Sequence, residues 1–137
     1  MDNKWIITPS IDSYFSVYND YYTPKNLFIN TNYYYCSKSN SNNEYLKFDF
    51  KKEYWFKKIV IKFYTKYPEN RIKYFNILIY DQKNRIIETF QRLYSNMDSE
   101  SFSYTLNYKF RYIKFELLNN HGGNYYIIKN INIYSIK

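Results

Sequence analysis

A period of two dominates this chain and leaves little room for any fold but a β-sheet one. Arg111-Tyr112-Ile113-Lys114-Phe115-Glu116-Leu117 alternates polar or half-polar with apolar residues over seven positions. Successive side chains of a strand point to opposite faces. Ile113, Phe115 and Leu117 therefore share one face, and Tyr112, Lys114 and Glu116 the other. Leu46–Phe50 alternates in the same way, and Ile59–Phe63 does so less strictly. Tyr74–Tyr80, Arg85–Phe90, Phe102–Leu106 and Ile127–Ile136 complete the series. All are rich in β-branched and aromatic residues, which suit a pleated, half-buried surface. No amphipathic helical pattern separates them. Short strands in succession predict an all-β, antiparallel sandwich or barrel.

The breaks fall where turn chemistry requires. Asp81-Gln82-Lys83-Asn84 reads as a hairpin turn, and Tyr67-Pro68-Glu69-Asn70 as a second turn. Ser37–Asn43 is a polar loop. Asn119-Asn120-His121-Gly122-Gly123-Asn124 is the strongest break and holds both glycines of the chain. There is no internal repeat and no composition shift, so residues 1–137 read as a single domain, a length that can bury a core. The first 35 residues are less regular, with Trp5-Ile6-Ile7 opening a strand and Pro24–Phe28 following a turn.

Several function classes are disfavoured. The longest apolar runs are far short of the roughly 20 residues of a membrane span. Met1-Asp2-Asn3-Lys4-Trp5 lacks the apolar stretch of a secretory signal, and Cys36 is the only cysteine, so no internal disulfide forms. These features predict an intracellular chain, nuclear or cytoplasmic. The net charge of +8 suggests a polyanion partner. However, Lys, Asn, Ile and Tyr abound while alanine is absent, the signature of A+T-rich codons, and the lysines are scattered. A nucleic-acid partner is therefore disfavoured. His121 is the only histidine and has no nucleophile motif beside it. Gly122-Gly123 lacks the Lys-Ser/Thr of a phosphate-binding loop. Asp49, Glu53, Glu69, Asp81 and Glu88 form no spaced cluster, so neither catalytic residues nor a metal or cofactor site are expected. Tyr33-Tyr34-Tyr35 is a candidate binding platform in which at least one ring points into the core.

Pro24-Lys25-Asn26-Leu27, then Asn32–Ser37, then Glu44–Phe50, resembles the opening of discoidin-like, or galactose-binding-like, domains. Arg111–Phe115 followed by Asn130–Tyr134 resembles their last two strands, so the likeness runs over residues 5–135. It implies a discoidin-like antiparallel jelly-roll β-sandwich. Within that superfamily, Leu118–Asn124 through Ile131–Ser135 is most similar to the DOC-domain subunit of the anaphase-promoting complex. The Tyr34-Tyr35-Cys36-Ser37 and Tyr67-Pro68 segments and the closing Ile136-Lys137 fit the same likeness. Ser37-Lys38-Ser39 departs from that family's Ser-Asp-Gly, the loop of this chain is one residue shorter, and only Ile136-Lys137 corresponds to the tail by which that family docks onto a scaffold subunit.

This resemblance implies a non-catalytic substrate-recognition module of a ubiquitin ligase, binding a protein or peptide. Two alternatives stand beside it. SUN-like nuclear-envelope tethers resemble Arg111–Leu118 and Tyr125-Tyr126 but carry a cysteine where Ile127 stands. Carbohydrate-binding discoidin domains of the coagulation factor type C kind are the other, and would want an aromatic ring lying flat on an open loop surface. The resemblance implies that Tyr35, Ser37 and Lys38 approach Asn120, His121, Gly122, Gly123 and Asn124 at one end of the sandwich, with Tyr67 at the rim, and that these residues contact the partner.

Overall fold

The computed structural model describes residues 4–136 apart from Asn30. Lys137 of the closing Ile136-Lys137 pair and the first three residues of the N-terminal stretch thus lie outside the described residues. Nine strands follow in chain order: β1 (Lys4–Ile6), β2 (Ser10–Tyr14), β3 (Tyr35–Cys36), β4 (Tyr45–Lys62), β5 (Ile72–Tyr80), β6 (Ile86–Tyr94), β7 (Ser101–Asn120), β8 (Ile127–Ile128) and β9 (Asn130–Ile136). Two 3-10 turns, Pro24–Phe28 and Pro68–Asn70, are the helical elements among the described residues. Every strand pair is antiparallel. The ladder runs β1-β9-β4-β7-β5-β6, with β2 also on β4, and β3-β8 forms a separate small pair.

Four of the strands expected from the sequence are two. Leu46–Phe50 and Ile59–Phe63 belong to one strand of 18 residues running to Lys62, and Phe102–Leu106 and Arg111–Leu117 to one of 20 residues. The first half of β4 pairs with the second half of β7, and the second half of β4 with the first half of β7. Between them the register shifts from Asp49↔Tyr112 to Tyr54↔Phe110. Lys51 sits there at φ 75. A left-handed residue in a bulge bends a strand sharply, so both strands turn the corner from one layer to the other. The corner is pinned by Asp49, whose two carboxylate oxygens accept from Arg111 Nε and Nη2 at 2.9 and 3.1 Å. Lys51 N donates to the same group at 2.7 Å. The Arg111 guanidinium holds the Asp49 carboxyl below its usual range.

Parity assigns the core as the alternation predicts. Ile113, Phe115 and Leu117 are buried, and Tyr112, Lys114 and Glu116 are half-exposed on the outer face. Leu46 and Phe48 of β4 and Phe75, Ile77 and Ile79 of β5 continue that inner face. Ile59, Ile61, Ile131 and Ile133 line the opposing layer. At the corner, Phe56 stacks on Phe110 with ring centroids 4.1 Å apart, and Phe50 caps the pair at 4.7 Å from Phe56. The Asp81–Asn84 turn forms as expected: Asn84 takes φ 62, and Asp81 Oδ1 accepts from Lys83 N and Arg85 N. With this strand content and no α-helix among the described residues, far-ultraviolet circular dichroism is expected to show a β-dominated spectrum. A helical double minimum would overturn the fold.

Candidate functional site

Three segments meet at one end of the sandwich because β3 and β8 pair there. Cys36 aligns with Ile127 and Tyr35 with Ile128. Ser37 continues the ladder through its backbone N to Tyr126 O, and its Oγ accepts from Tyr126 N at 2.8 Å. The preceding loop is stitched onto the same strand: Tyr18 N donates to Cys36 O, and Cys36 N to Tyr22 O. The third segment is the turn at Tyr67–Asn70. Tyr67 takes the left-handed conformation at φ 56, uncommon for a bulky residue and often retained at functional sites. Asn70 Oδ1 accepts from Tyr125 N, and Glu69 O from Gly123 N, so this turn is tied to the 119–126 loop.

These segments enclose an open pocket of about 250 Å³. Tyr18, Tyr22, Tyr34, Tyr67 and Tyr125 wall it, and Cys36, Ile127 and Asn70 contribute to its lining. Among the described residues no charged side chain lines it. Tyr34 packs on Tyr22 at 4.8 Å, 29° between planes, and on Tyr64 at 4.4 Å, while Tyr18 meets Tyr125 edge-to-face at 5.2 Å. Tyr18 and Tyr67 are each about half exposed and form the rim. Asn70 is buried, and its Nδ2 donates to no described residue, which leaves an amide N–H₂ beside the pocket. Burial pushes the Cys36 thiol up to about 12, so it is a neutral wall atom and no nucleophile. Burial, with the neighbouring tyrosines, raises the Tyr34 hydroxyl to about 12 as well. The cavity is thus uncharged, aromatic-walled and supplied with hydroxyl and amide groups.

Of the contact residues expected from the sequence, Tyr67 alone lines this pocket. Tyr35 is fully buried, with its hydroxyl donating to Ser16 O at 3.2 Å, so it is core and not a contact residue. Ser37 is likewise buried and spends its Oγ on Ser39 O and Tyr126 N. Asn120 is buried as a brace: Nδ2 donates to Gly123 O and Tyr125 O, and Oδ1 accepts from Gly122 N. His121 Nε2 lies 2.7 Å from Ser95 O, which can only accept, so this nitrogen carries the proton and ties the loop down. Gly123 is approached closely by its own chain: a Cβ there would stand 2.0 Å from Asn70 Oδ1. Gly122 takes φ +110, the positive angle a tight turn needs. Lys38 and Asn124 are exposed and outside the pocket lining.

The expected juxtaposition of segments is therefore present, but it is made by the residues expected to bind. The cavity lining at this end comes instead from Tyr18, Tyr22, Tyr34, Tyr125 and Asn70. Tyr34 belongs to the Tyr33–Tyr35 platform expected from the sequence, and the signal for Tyr18 and Tyr22 was density, since seven tyrosines crowd residues 14–35.

Behind the loop, Glu44 is 1% exposed and accepts from Ser16 Oγ at 2.6 and 2.7 Å and from Ser39 Oγ at 3.2 Å. No cation pairs with it among the described residues. Burial raises its pKa, with the serine hydroxyls opposing. A carboxyl whose folded pKa is raised favours the protonated form in the native state, so ionisation costs stability above its unfolded pKa. Stability is therefore expected to rise as pH falls from neutral toward the ordinary glutamate value of about 4.3. Glu44→Gln should flatten that part of the profile, as read by urea midpoints at successive pH values. A wild-type profile already flat there would refute the assignment.

Among curated proteins, none matches this chain in sequence. Solved structures match its fold. A fucose-binding module of Streptococcus pneumoniae superposes with a TM-score of 0.79 at 16% identity, over 96% of this chain and 97% of that one. The family 32 carbohydrate-binding module of Clostridium perfringens NanJ, solved with galactose, gives 0.79 at 15% identity, over 96% and 99%. The lectin domain of lectinolysin, in a His mutant complexed with Lewis b, gives 0.75 at 13% identity, over 91% of each chain. The family described as F5/8 type C domain matches residues 10–131. The chain belongs to the F5/8 type C domain family, the galactose-binding-like jelly rolls that its alternation and loops resemble.

Proposed function

We propose that this chain is a non-catalytic carbohydrate-binding module that holds a neutral sugar in the tyrosine-walled pocket. The observation that carries the reading is the pocket itself, an open cavity walled by five tyrosines and lined by no charged group. A pyranose offers an apolar C–H face and a polar rim of hydroxyls. Tyrosine rings match the first, while phenol hydroxyls and the free Asn70 amide match the second. A phosphate or carboxylate would find no cation in the lining. The solved structures of like fold include modules bound to galactose and to Lewis b, which supports the same ligand class. A peptide-recognition role of the ligase-subunit kind is less well supported. The loop residues it requires, Tyr35, Ser37, Asn120 and Gly123, are buried, and their hydrogen bonds are spent on the protein itself.

The test is a printed array of galactose- and fucose-terminated saccharides of one to five units, followed by titration calorimetry on the hits. Tyr18→Ala with Tyr67→Ala is expected to weaken binding by about tenfold or more, as removal of central aromatic anchors does. Both rings are half exposed, so the melting temperature should stay within a few degrees. Undiminished binding by the double variant would place the site elsewhere.

A further inference from the structure

The tyrosines do not stop at the pocket. Tyr22, on its wall, meets Tyr33 edge-to-face at 6.0 Å and 73°. Tyr33 in turn stacks on Tyr21 with centroids 5.9 Å apart and planes 20° from parallel. Neither lines the pocket. Both face water: Tyr21 is 66% exposed and Tyr33 45%. Two stacked rings held in solvent add little to the core, yet their backbones are fixed in place. Asn26, 7% exposed, donates from Nδ2 to Tyr21 O at 2.7 Å and to Tyr34 O at 3.0 Å. Tyr21 N donates to Asn19 Oδ1 at 2.9 Å, and Lys129 Nζ donates to Tyr33 O at 2.9 Å. One buried amide thus ties the outer stack to the segment that walls the pocket, and folding has already ordered what a ligand would otherwise have to order.

We propose that the Tyr21–Tyr33 stack is a second saccharide subsite, which takes the unit adjoining the one in the pocket. This rests on the carbohydrate reading of the pocket. Tyr22 is common to both, so the two surfaces stand one ring apart. Adjacent units of a glycan are joined through a single bridging oxygen and are spaced by about the size of a ring, so one chain can lie across both. The preferred ligand is then a neutral oligosaccharide of at least two units, not a lone monosaccharide.

The test compares calorimetric affinities for galactose and fucose with those for di- to pentasaccharides that end in them, on wild type, Tyr21→Ala and Tyr33→Leu. Wild type should bind the longer saccharides about tenfold more tightly than the matching monosaccharide. Tyr21→Ala should abolish that gain and leave the monosaccharide dissociation constant within about twofold. Tyr33→Leu, which keeps apolar bulk but removes the ring face, should do the same. Monosaccharide binding with no gain in length, or a gain that survives both variants, overturns the subsite and leaves the pocket reading intact. Binding of no saccharide overturns both readings. Concentration-dependent dimerisation in sedimentation, lost in Tyr21→Ala, would show instead that a second copy covers the stack, and would also overturn the proposal.

Discussion

Phe115→Ala is expected to cost about 3–5 kcal/mol of unfolding free energy, the range for a buried large-to-small change of this kind. Phe115 is 1% exposed and stands at the centre of β7, paired across the ladder with Leu46 on one side and Ile77 on the other. Its ring lies 6.1 Å from that of Phe48. Both flanking strands are held in register by their ladders, so the walls can collapse little into the space left behind. Much of the cavity term should therefore be felt. Lys114, one residue earlier, points to the other face. There its ammonium lies 4.6 Å from the Tyr45 ring centroid and 3.4 Å from Glu116. Lys114→Ala removes one half-exposed cation–π contact and one solvent-screened pair, together worth about 1 kcal/mol or less. Urea midpoints that fall equally in the two variants would show that the strand is out of register by one.

Gly123→Ala is the second change expected to have a large effect. Its added methyl would stand 2.0 Å from Asn70 Oδ1, 2.7 Å from Asn70 Cγ and 2.9 Å from the backbone carbonyl of Glu69. The first two belong to a buried side chain and the third to the main chain, so none can step aside freely. Overpacking of this kind costs about 1–3 kcal/mol, and the upper end is expected here. The disturbance is also aimed at the site, because Asn70 accepts from Tyr125 N and lines the pocket. Gly122→Ala is the control. It meets nothing within 4 Å but must hold φ +110, a strain of about 1–3 kcal/mol. Both variants should melt earlier, while only Gly123→Ala should also weaken the saccharide binding proposed for the pocket, at temperatures where it is folded. Equal loss of affinity in the two would mean that the pocket depends on the turn as a whole and not on the seat of Asn70.

The division between what was legible and what was not follows from the range of the interactions. Alternation in Arg111–Leu117 is a local property of strands, and it identified the buried face of this part of β7 correctly. Turn chemistry at Asp81–Asn84 is equally local. The joining of Leu46–Phe50 to Ile59–Phe63 in one bent strand was not legible. It depends on Lys51 adopting a positive φ, on the Asp49–Arg111 pair across 62 positions, and on Phe56 meeting Phe110.

The site divides in the same way. The sequence by itself determined an all-β antiparallel fold and its main turns, while the jelly roll and the loops meeting at one end of it were implied by the resemblance to discoidin-like domains. Only the tertiary structure decided which of the tyrosines early in the chain are walls and which are core. Tyr34 and Tyr35 are neighbours, yet Tyr34, just ahead of β3, lines the pocket with Cys36, while Tyr35 between them is buried on the other side, since successive side chains along a strand face opposite ways. Asn120 and His121 look like ligands in one dimension. In three they are spent on Gly123, Tyr125 and Ser95, since polar groups inside a folded loop are satisfied first by the backbone that surrounds them.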